Sequence, residues 1–294
     1  MKNRNNKDSI RIALIQMPCE ADPQKNLRSA VAQIKVAAAK GARIIALQEL
    51  FNTLYFCQTQ DTKNFDLAQT ISGPATKVLS ELAKSKKIVI IAPLFEKAAK
   101  GVYYNSAAVI DANGKLLGTY RKMHIPDDPG FNEKFYFAPG DLGFKAFETR
   151  YARIGVLICW DQWFPEAARL TALQGADILF YPTAIGWKPD QVSETKSYHS
   201  AWETVQRGHA ISNGVFVASV NRVGKEGAFK FWGSSFVADP FGETRYRASS
   251  AHEEILIEDC DLSLVDKTRR EWPFLRDRRI DAYQTITSRF IGRK

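Results

Sequence analysis

The chain has 294 residues, 45% hydrophobic and 25% charged, an ordinary balance for a globular fold with a sizeable core. No apolar run approaches the ~20 residues that a membrane span needs, so a membrane is not an expected partner. The formal net charge is +9, yet the basic residues gather near the N-terminus and from Arg269 to Lys294 without any nucleic-acid-binding motif, so nucleic acid is not expected either.

In chain order, MKNRNNKDS is polar and lacks the apolar core of a signal peptide, so a cytoplasmic protein is expected. IRIALIQM, from Ile10 to Met17, reads as a first strand. Pro23 opens a helix that carries Leu27, Ala30, Ile34 and Ala37 on one face, and Gly41 closes it. Ile44–Leu47 is a short buried strand ending in Gln48 and Glu49. A carboxylate at the end of an apolar strand is costly unless it is paired or functional. An aromatic-rich loop (Phe51, Tyr55, Phe56) precedes a helix over 75–86 and the strand IVIIAPLF. YYNSAAVIDANGKLLGTYRK predicts a hairpin turned at Asp111–Gly114, whose second strand delivers Lys122. Residues 123–143 hold three prolines, three glycines and no periodicity, which marks a long functional loop.

RIGVLICWDQWFPEAARLTALQGADILFYP then reads as strand, sharp turn, helix and strand, with Cys159 at the turn. A turn exposes a nucleophile and a helix N-terminus favours its thiolate; a buried structural cysteine is the competing reading. Farther on come a helix near 194–212, the strand VFVASVN, a second hairpin turned at Asp239–Gly242, a last strand in EEILIEDCDL and a short helix in SLVDKTRREW. Val237-Ala238-Asp239 echoes Val109-Ile110-Asp111, each leading into a Tyr-Arg pair, which suggests two similar half-sheets. Helices between strands, with two hairpins, predict an α/β fold with mixed sheets, and no linker divides residues 1–294.

Glu49, Lys122 and Cys159 each end a strand, and strand ends of one polarity gather at one edge of a layered α/β fold. The three types suit acyl-transfer chemistry. A carboxylate takes the thiol proton, an ammonium stabilises thiolate and oxyanion, and the Trp160 backbone amide is a second oxyanion donor. A Cys–His pair is the alternative; Glu49 is preferred over His124, His199, His209 and His252 because no histidine ends a buried strand. The four cysteines show no metal-ligand spacing, and no phosphate loop, dinucleotide fingerprint or zinc motif is present, so neither metal nor cofactor is expected.

LQELF around Glu49, YRKMHIPDDPGFNEKFYFAPGD around Lys122 and ICWDQWFPEAARLTALQGADILFYPTAIG around Cys159 resemble the nitrilase superfamily of carbon–nitrogen hydrolases, in that family's order, and the likeness runs from about Ile10 to Tyr283. The resemblance implies a four-layer α-β-β-α sandwich, a Glu49–Lys122–Cys159 triad, and Glu133 as a second site glutamate. HIPDDPGFNEKFYF and CWDQWFPEAAR are most similar to the branch that hydrolyses N-carbamoylputrescine. That implies a small-molecule carbamoyl-amine substrate whose cationic chain would meet the aromatic walls Tyr55, Phe131, Trp160 and Trp187. Other carbamoyl-amine hydrolases, such as β-ureidopropionase or N-carbamoyl-D-amino-acid amidohydrolase, and a catalytically silent binding subunit stay open as alternatives. Some members of the branch carry Ser-Glu where this chain has Trp187-Lys188, so either Asp161, Asp190 or Glu194 meets the distal ammonium instead or the substrate preference differs. Relatives assemble as dimers or larger, which implies a homo-oligomer. One domain is expected over 1–294, with flexible residues 1–8 and a C-terminal extension from about 262 used in oligomer contacts.

Overall fold

The computed structural model describes residues 8–187 and 195–292. Lys188, Asp190 and Glu194 lie outside the described residues, as do residues 1–7 of the N-terminal segment.

The first half of the chain is organised by alternation of buried side chains on three parallel strands. β1 (Ser9–Gln16), β2 (Ile44–Leu47) and β3 (Val89–Ala99) pair in parallel, with α1 (Pro23–Ala39) and α2 (Pro74–Lys86) as crossovers. α1 starts where Asp22 accepts the Gln24 N–H at 2.9 Å and Pro23 supplies a preset φ. β4 (Val102–Ile110) and β5 (Leu116–Arg121) extend the sheet antiparallel, and β15 (Glu254–Asp261) closes its other edge beside β1. Odd and even positions face different layers. Ile12, Leu14, Ile44, Ala46, Ile91 and Val109 face the second sheet, whereas Ala13, Ile15, Ile45, Leu47, Ile90 and Ile110 pack on Leu27, Ile34, Leu79 and Leu82 of the two helices.

The second half repeats this plan. β7 (Arg153–Val156), β8 (Ile178–Thr183) and β10 (Phe216–Asn221) are parallel, linked through α4 (Pro165–Leu173) and α5 (Thr195–Asn213). β13 (Phe236–Ala238) and β14 (Thr244–Arg247) follow antiparallel, and β6 (Ala146–Glu148) covers the opposite edge. The hairpin turns also match. Asp111 N–H donates to Lys115 O and Gly114 N–H to Asp111 O; Asp239 N–H donates to Glu243 O and Gly242 N–H to Asp239 O. The echo read in the sequence is therefore a duplicated half-fold. Two mixed six-stranded sheets face each other between helices, a four-layer α-β-β-α sandwich.

Gly155 sets one close approach. A Cβ there would lie 2.3 Å from Thr171 Cγ2 and 2.7 Å from Leu179 Cδ2, so only glycine lets α4 sit directly on β7, just behind Cys159. A third, three-stranded sheet was not expected: β9 (Gly186–Trp187), β11 (Val223–Glu226) and β12 (Phe229–Trp232). α3 (Glu133–Tyr136) is a single turn inside the long loop, and α6 (Ser263–Glu271) leads into an exposed C-terminal segment bearing Trp272, Ile280, Ile286 and Phe290. No helix among the described residues is long and apolar enough to cross a membrane.

Candidate active site

Glu49 lies two residues past β2, Lys122 one residue past β5, and Cys159 three residues past β7, so three strand ends from two facing sheets converge. Lys122 Nζ is 2.8 Å from Glu49 Oε1 and 2.6 Å from Glu133 Oε2, and all three side chains are at most 1% exposed. Asn105 Nδ2 donates to the same Glu49 oxygen at 2.7 Å, and the Tyr55 hydroxyl donates to Glu133 Oε1 at 2.8 Å. Glu49 Oε2 has no hydrogen-bond partner among the described residues. A buried carboxylate oxygen left open in this way is an unused proton acceptor.

Cys159 is the first residue of the turn Cys159–Trp163 and holds a left-handed φ of 43°. Such a conformation is strained for a side-chain-bearing residue and lifts the thiol out of the strand direction. In this short 3₁₀ turn the Trp160 N–H lies in the first turn, where amides have no acceptor inside the helix. Burial, and next the charge of Glu49, push the Cys159 thiol well above its ordinary range, while Lys122 and the Ala184 amide oppose them. Desolvation thus outweighs the pull of the helix N-terminus toward the thiolate, and the thiol needs a base to take its proton, the part the sequence reading gave to a carboxylate.

Burial alone would pull the Lys122 ammonium down, but Glu133, Glu49 and Cys159 more than reverse it, and the net shift is upward. Burial drives the Glu133 carboxyl up to about 7, against the pull of Lys122 and with the push of Glu49. Asn105 O accepts the Lys122 N–H and Lys122 O accepts the Gly140 N–H, both at 2.8 Å. A Cβ on Gly140 would sit 2.1 Å from Arg121 O, so glycine is required for that strap.

The expected aromatic residues divide among three places. Phe131 meets Tyr55 edge-on at 5.7 Å beside Glu133. Trp160 follows Cys159 and packs against Trp163 at 6.4 Å, whereas Trp187 stands on the third sheet with its ring 5.3 Å from Trp232. Tyr55 is fully buried and bonded to Glu133, so its hydroxyl orders a carboxylate. The histidines spend their contacts elsewhere: His124 Nδ1 on Asp161, His209 Nε2 on Gln162 O, and the His199 ring on Trp202 and Trp232. Asp161, one of three acids expected to meet a distal ammonium, is fully buried and engaged by Ile158, Tyr120 and His124, which takes it out of that role.

Two residues were missed altogether. Arg222, wholly buried, donates to the carbonyls of Glu49 (2.9 Å), Leu50 (2.9 Å) and Thr53 (3.0 Å) and pairs with Glu226 at 2.7 Å. Glu226 in turn accepts the Tyr55 N–H at 2.6 Å, so one ion pair shapes the 49–55 turn. Arg222 sits just past apolar β10, the same signal that singled out Glu49 after β2. Among the described residues no group of His, Cys, Asp and Glu is arranged to hold a metal ion.

A thiol, an open carboxylate oxygen and a buried ammonium can attack a carbonyl carbon, move a proton and neutralise an oxyanion. Comparison with known proteins agrees with that chemistry. A carbon-nitrogen hydrolase family model matches residues 11–270. The chain is 46% identical to an N-carbamoylputrescine amidase of Solanum tuberosum over 94% of each chain. It is 42% identical to a citrullinase of Francisella tularensis over 96% of this chain and 99% of that one. A crystal structure of a carbon-nitrogen hydrolase from Helicobacter pylori G27, 46% identical, superposes with a TM-score of 0.93 over 96% of this chain and 100% of that one. A duplicated α-β-β-α sandwich, strand ends bearing Glu, Lys and Cys, and these matches lead to one conclusion: the chain belongs to the carbon–nitrogen hydrolase family, the nitrilase superfamily.

Proposed function

We propose that the protein hydrolyses the ureido group of N-carbamoylputrescine to putrescine, carbon dioxide and ammonia. The observation that carries the chemistry is the fully buried Lys122–Glu49 contact, with Glu49 Oε2 left open and the Glu49 charge acting on a cysteine held as a thiol. The choice of substrate is supported by 46% identity to the potato amidase across nearly the whole of both chains.

In this reading Glu49 takes the Cys159 proton as sulfur attacks the ureido carbon, and Lys122 with the Trp160 amide holds the developing oxyanion. The protonated Glu49 then delivers its proton to the departing amine nitrogen, leaving an acyl group on sulfur. Glu49 next deprotonates a water that attacks this thioester-type intermediate, and the Cys159 thiol is restored; carbamic acid falls apart to carbon dioxide and ammonia. Glu133, held by Lys122 and Tyr55, orients the substrate or the water. Tyr55, Phe131, Trp160 and Trp187 are assigned to the pocket walls.

The reading includes a single domain that works as a homo-oligomer through the segment from about 262, and the exposed Trp272, Ile280, Ile286 and Phe290 support it. Four free cysteines suit a reducing, cytoplasmic setting.

Citrulline, which also carries a ureido group, is the second reading, favoured by the citrullinase match. Purified protein is given N-carbamoylputrescine, citrulline and N-carbamoyl-β-alanine, and ammonia release is followed. The expected result is a kcat/KM for N-carbamoylputrescine at least about tenfold above the others, ~1.4 kcal/mol of discrimination. Faster turnover of citrulline would transfer the substrate assignment, and no ammonia from any of the three would end the enzyme reading.

A further inference from the structure

Asp161 lies two residues past Cys159, is fully buried, and accepts four hydrogen bonds through one carboxylate. Oδ2 accepts the Ile158 N–H at 2.9 Å and the Tyr120 hydroxyl at 2.7 Å. Oδ1 accepts the His124 N–H at 3.0 Å and meets His124 Nδ1 at 2.7 Å. A carboxylate has no proton to give, so Nδ1 carries the hydrogen of that last contact. The His124 ring is further fixed by stacking on Phe164, centroids 3.7 Å apart and 4° from parallel.

These partners come from two places in the chain. Ile158 precedes Cys159, and the Asp161 N–H also donates to Ile158 O at 3.0 Å, so backbone and side chain of Asp161 both close the turn that keeps Cys159 at its left-handed φ. Tyr120 and His124 stand two residues before and two residues after Lys122. Tyr120 is on β5, His124 follows that strand and Ile158 follows β7, and β5 and β7 belong to different sheets. A single carboxylate therefore spans the interface between the sheets and ties the cysteine turn to both flanks of the lysine.

We propose that Asp161 is a positioning residue that locks the Cys159 turn and the Lys122 segment in one frame, keeping thiol and ammonium in register through both halves of the reaction. The proposal rests on the hydrolase reading given above. It does not place Asp161 against the substrate: all of its contacts named here are internal. The Tyr120 hydroxyl, pushed well above its ordinary range by burial and then by the Asp161 charge, remains a donor throughout the working pH range.

Asp161→Asn keeps the shape but turns an NH₂ toward one of the two donor pairs, and the Tyr120→Phe/His124→Asn double variant cuts side-chain ties to the lysine segment while sparing the Ile158 contact. Two readouts are taken. The first is kcat and KM for N-carbamoylputrescine; Asp161→Asn should lower kcat by about 100-fold, the scale of a reacting group misplaced by an ångström, with KM moved by less than about threefold. The second is a double-mutant cycle on iodoacetamide alkylation of Cys159, mapped by peptide mass. Lys122→Met should slow alkylation roughly tenfold in the otherwise unaltered enzyme but less than about threefold in either tether variant, since the coupling runs through Asp161. A residue that only stabilised the fold would lower the unfolding midpoint and leave that coupling intact. Both losses together support the proposal; a folded tether variant that keeps either kcat or the Lys122 dependence overturns it. Should Asp161→Asn fail to fold, the double variant decides on the same criteria. If the unaltered enzyme releases no ammonia from the substrate, the hydrolase reading fails while the alkylation cycle still judges the tether.

Discussion

Replacing Lys122 with methionine tests the electrostatics of the site in the stability of the fold itself. The ammonium touches Glu49 Oε1 at 2.8 Å and Glu133 Oε2 at 2.6 Å, and none of the three side chains is more than 1% exposed. Breaking a buried pair by removing one partner costs roughly 3–5 kcal/mol, because the charge left behind is uncompensated. Here two carboxylates are left without their shared cation, and Glu133, already raised to about 7 by burial, escapes by holding a proton. A carboxylate whose folded pKa is raised stabilises fully below its unfolded pKa, and that contribution is lost as pH climbs toward the folded value. The variant should therefore be about 3–5 kcal/mol less stable than the parent at pH 8. The deficit should shrink on acidification by about 1.4 kcal/mol per pH unit for each extra proton retained. Adding Glu133→Gln to Lys122→Met removes one of the two carboxylates and should return a sizeable part of the loss. Urea unfolding at pH 6, 7 and 8 measures all of this. A deficit below about 1 kcal/mol that ignores pH, the behaviour of an exposed ion pair, would refute the reasoning.

Three further outcomes follow from the same contacts. Glu133, its carboxyl raised to about 7 by burial, takes a proton as pH falls through neutrality, so kcat/KM should decline on the acid side of about 7, and Glu133→Gln should abolish that limb in a pH–rate profile. Glu226→Gln weakens the ion pair with Arg222 and the bond to the Tyr55 amide; kcat should fall about tenfold with the unfolding midpoint lowered, and an unchanged kcat would separate the third sheet from the site. Ending the chain after Glu271 removes the exposed Trp272, Ile280, Ile286 and Phe290, and should reduce the number of subunits seen by light scattering.

Much of this arrangement is legible in the sequence where local pattern and fold agree. The ends of β2 and β7 follow from short apolar runs that stop at a polar or reactive residue, the end of β5 follows from its hairpin, and the matching turns at Asp111 and Asp239 announce the duplication. What stayed hidden depends on distance along the chain. Arg222 reaches carbonyls more than 160 residues away, and Asp161 joins segments 37 and 41 residues apart, contacts that no periodicity encodes. The third sheet escaped because β9 has two residues and its partners come from a later hairpin. Cys159 stands at the turn read from the sequence; the helix position that favours its thiolate is a local signal, whereas the desolvation by two packed sheets that opposes it is not.

The central claim is that Cys159 becomes covalently bonded to the substrate carbon. Rapid acid quench during turnover of N-carbamoylputrescine, followed by intact-protein and peptide mass measurement, tests it most directly. The account predicts a carbamoyl group on the peptide containing Cys159, absent from Cys159→Ser, whose ammonia release should be down by at least about a thousandfold. Full turnover by Cys159→Ser, or steady turnover of the parent with an adduct on another residue, would contradict it.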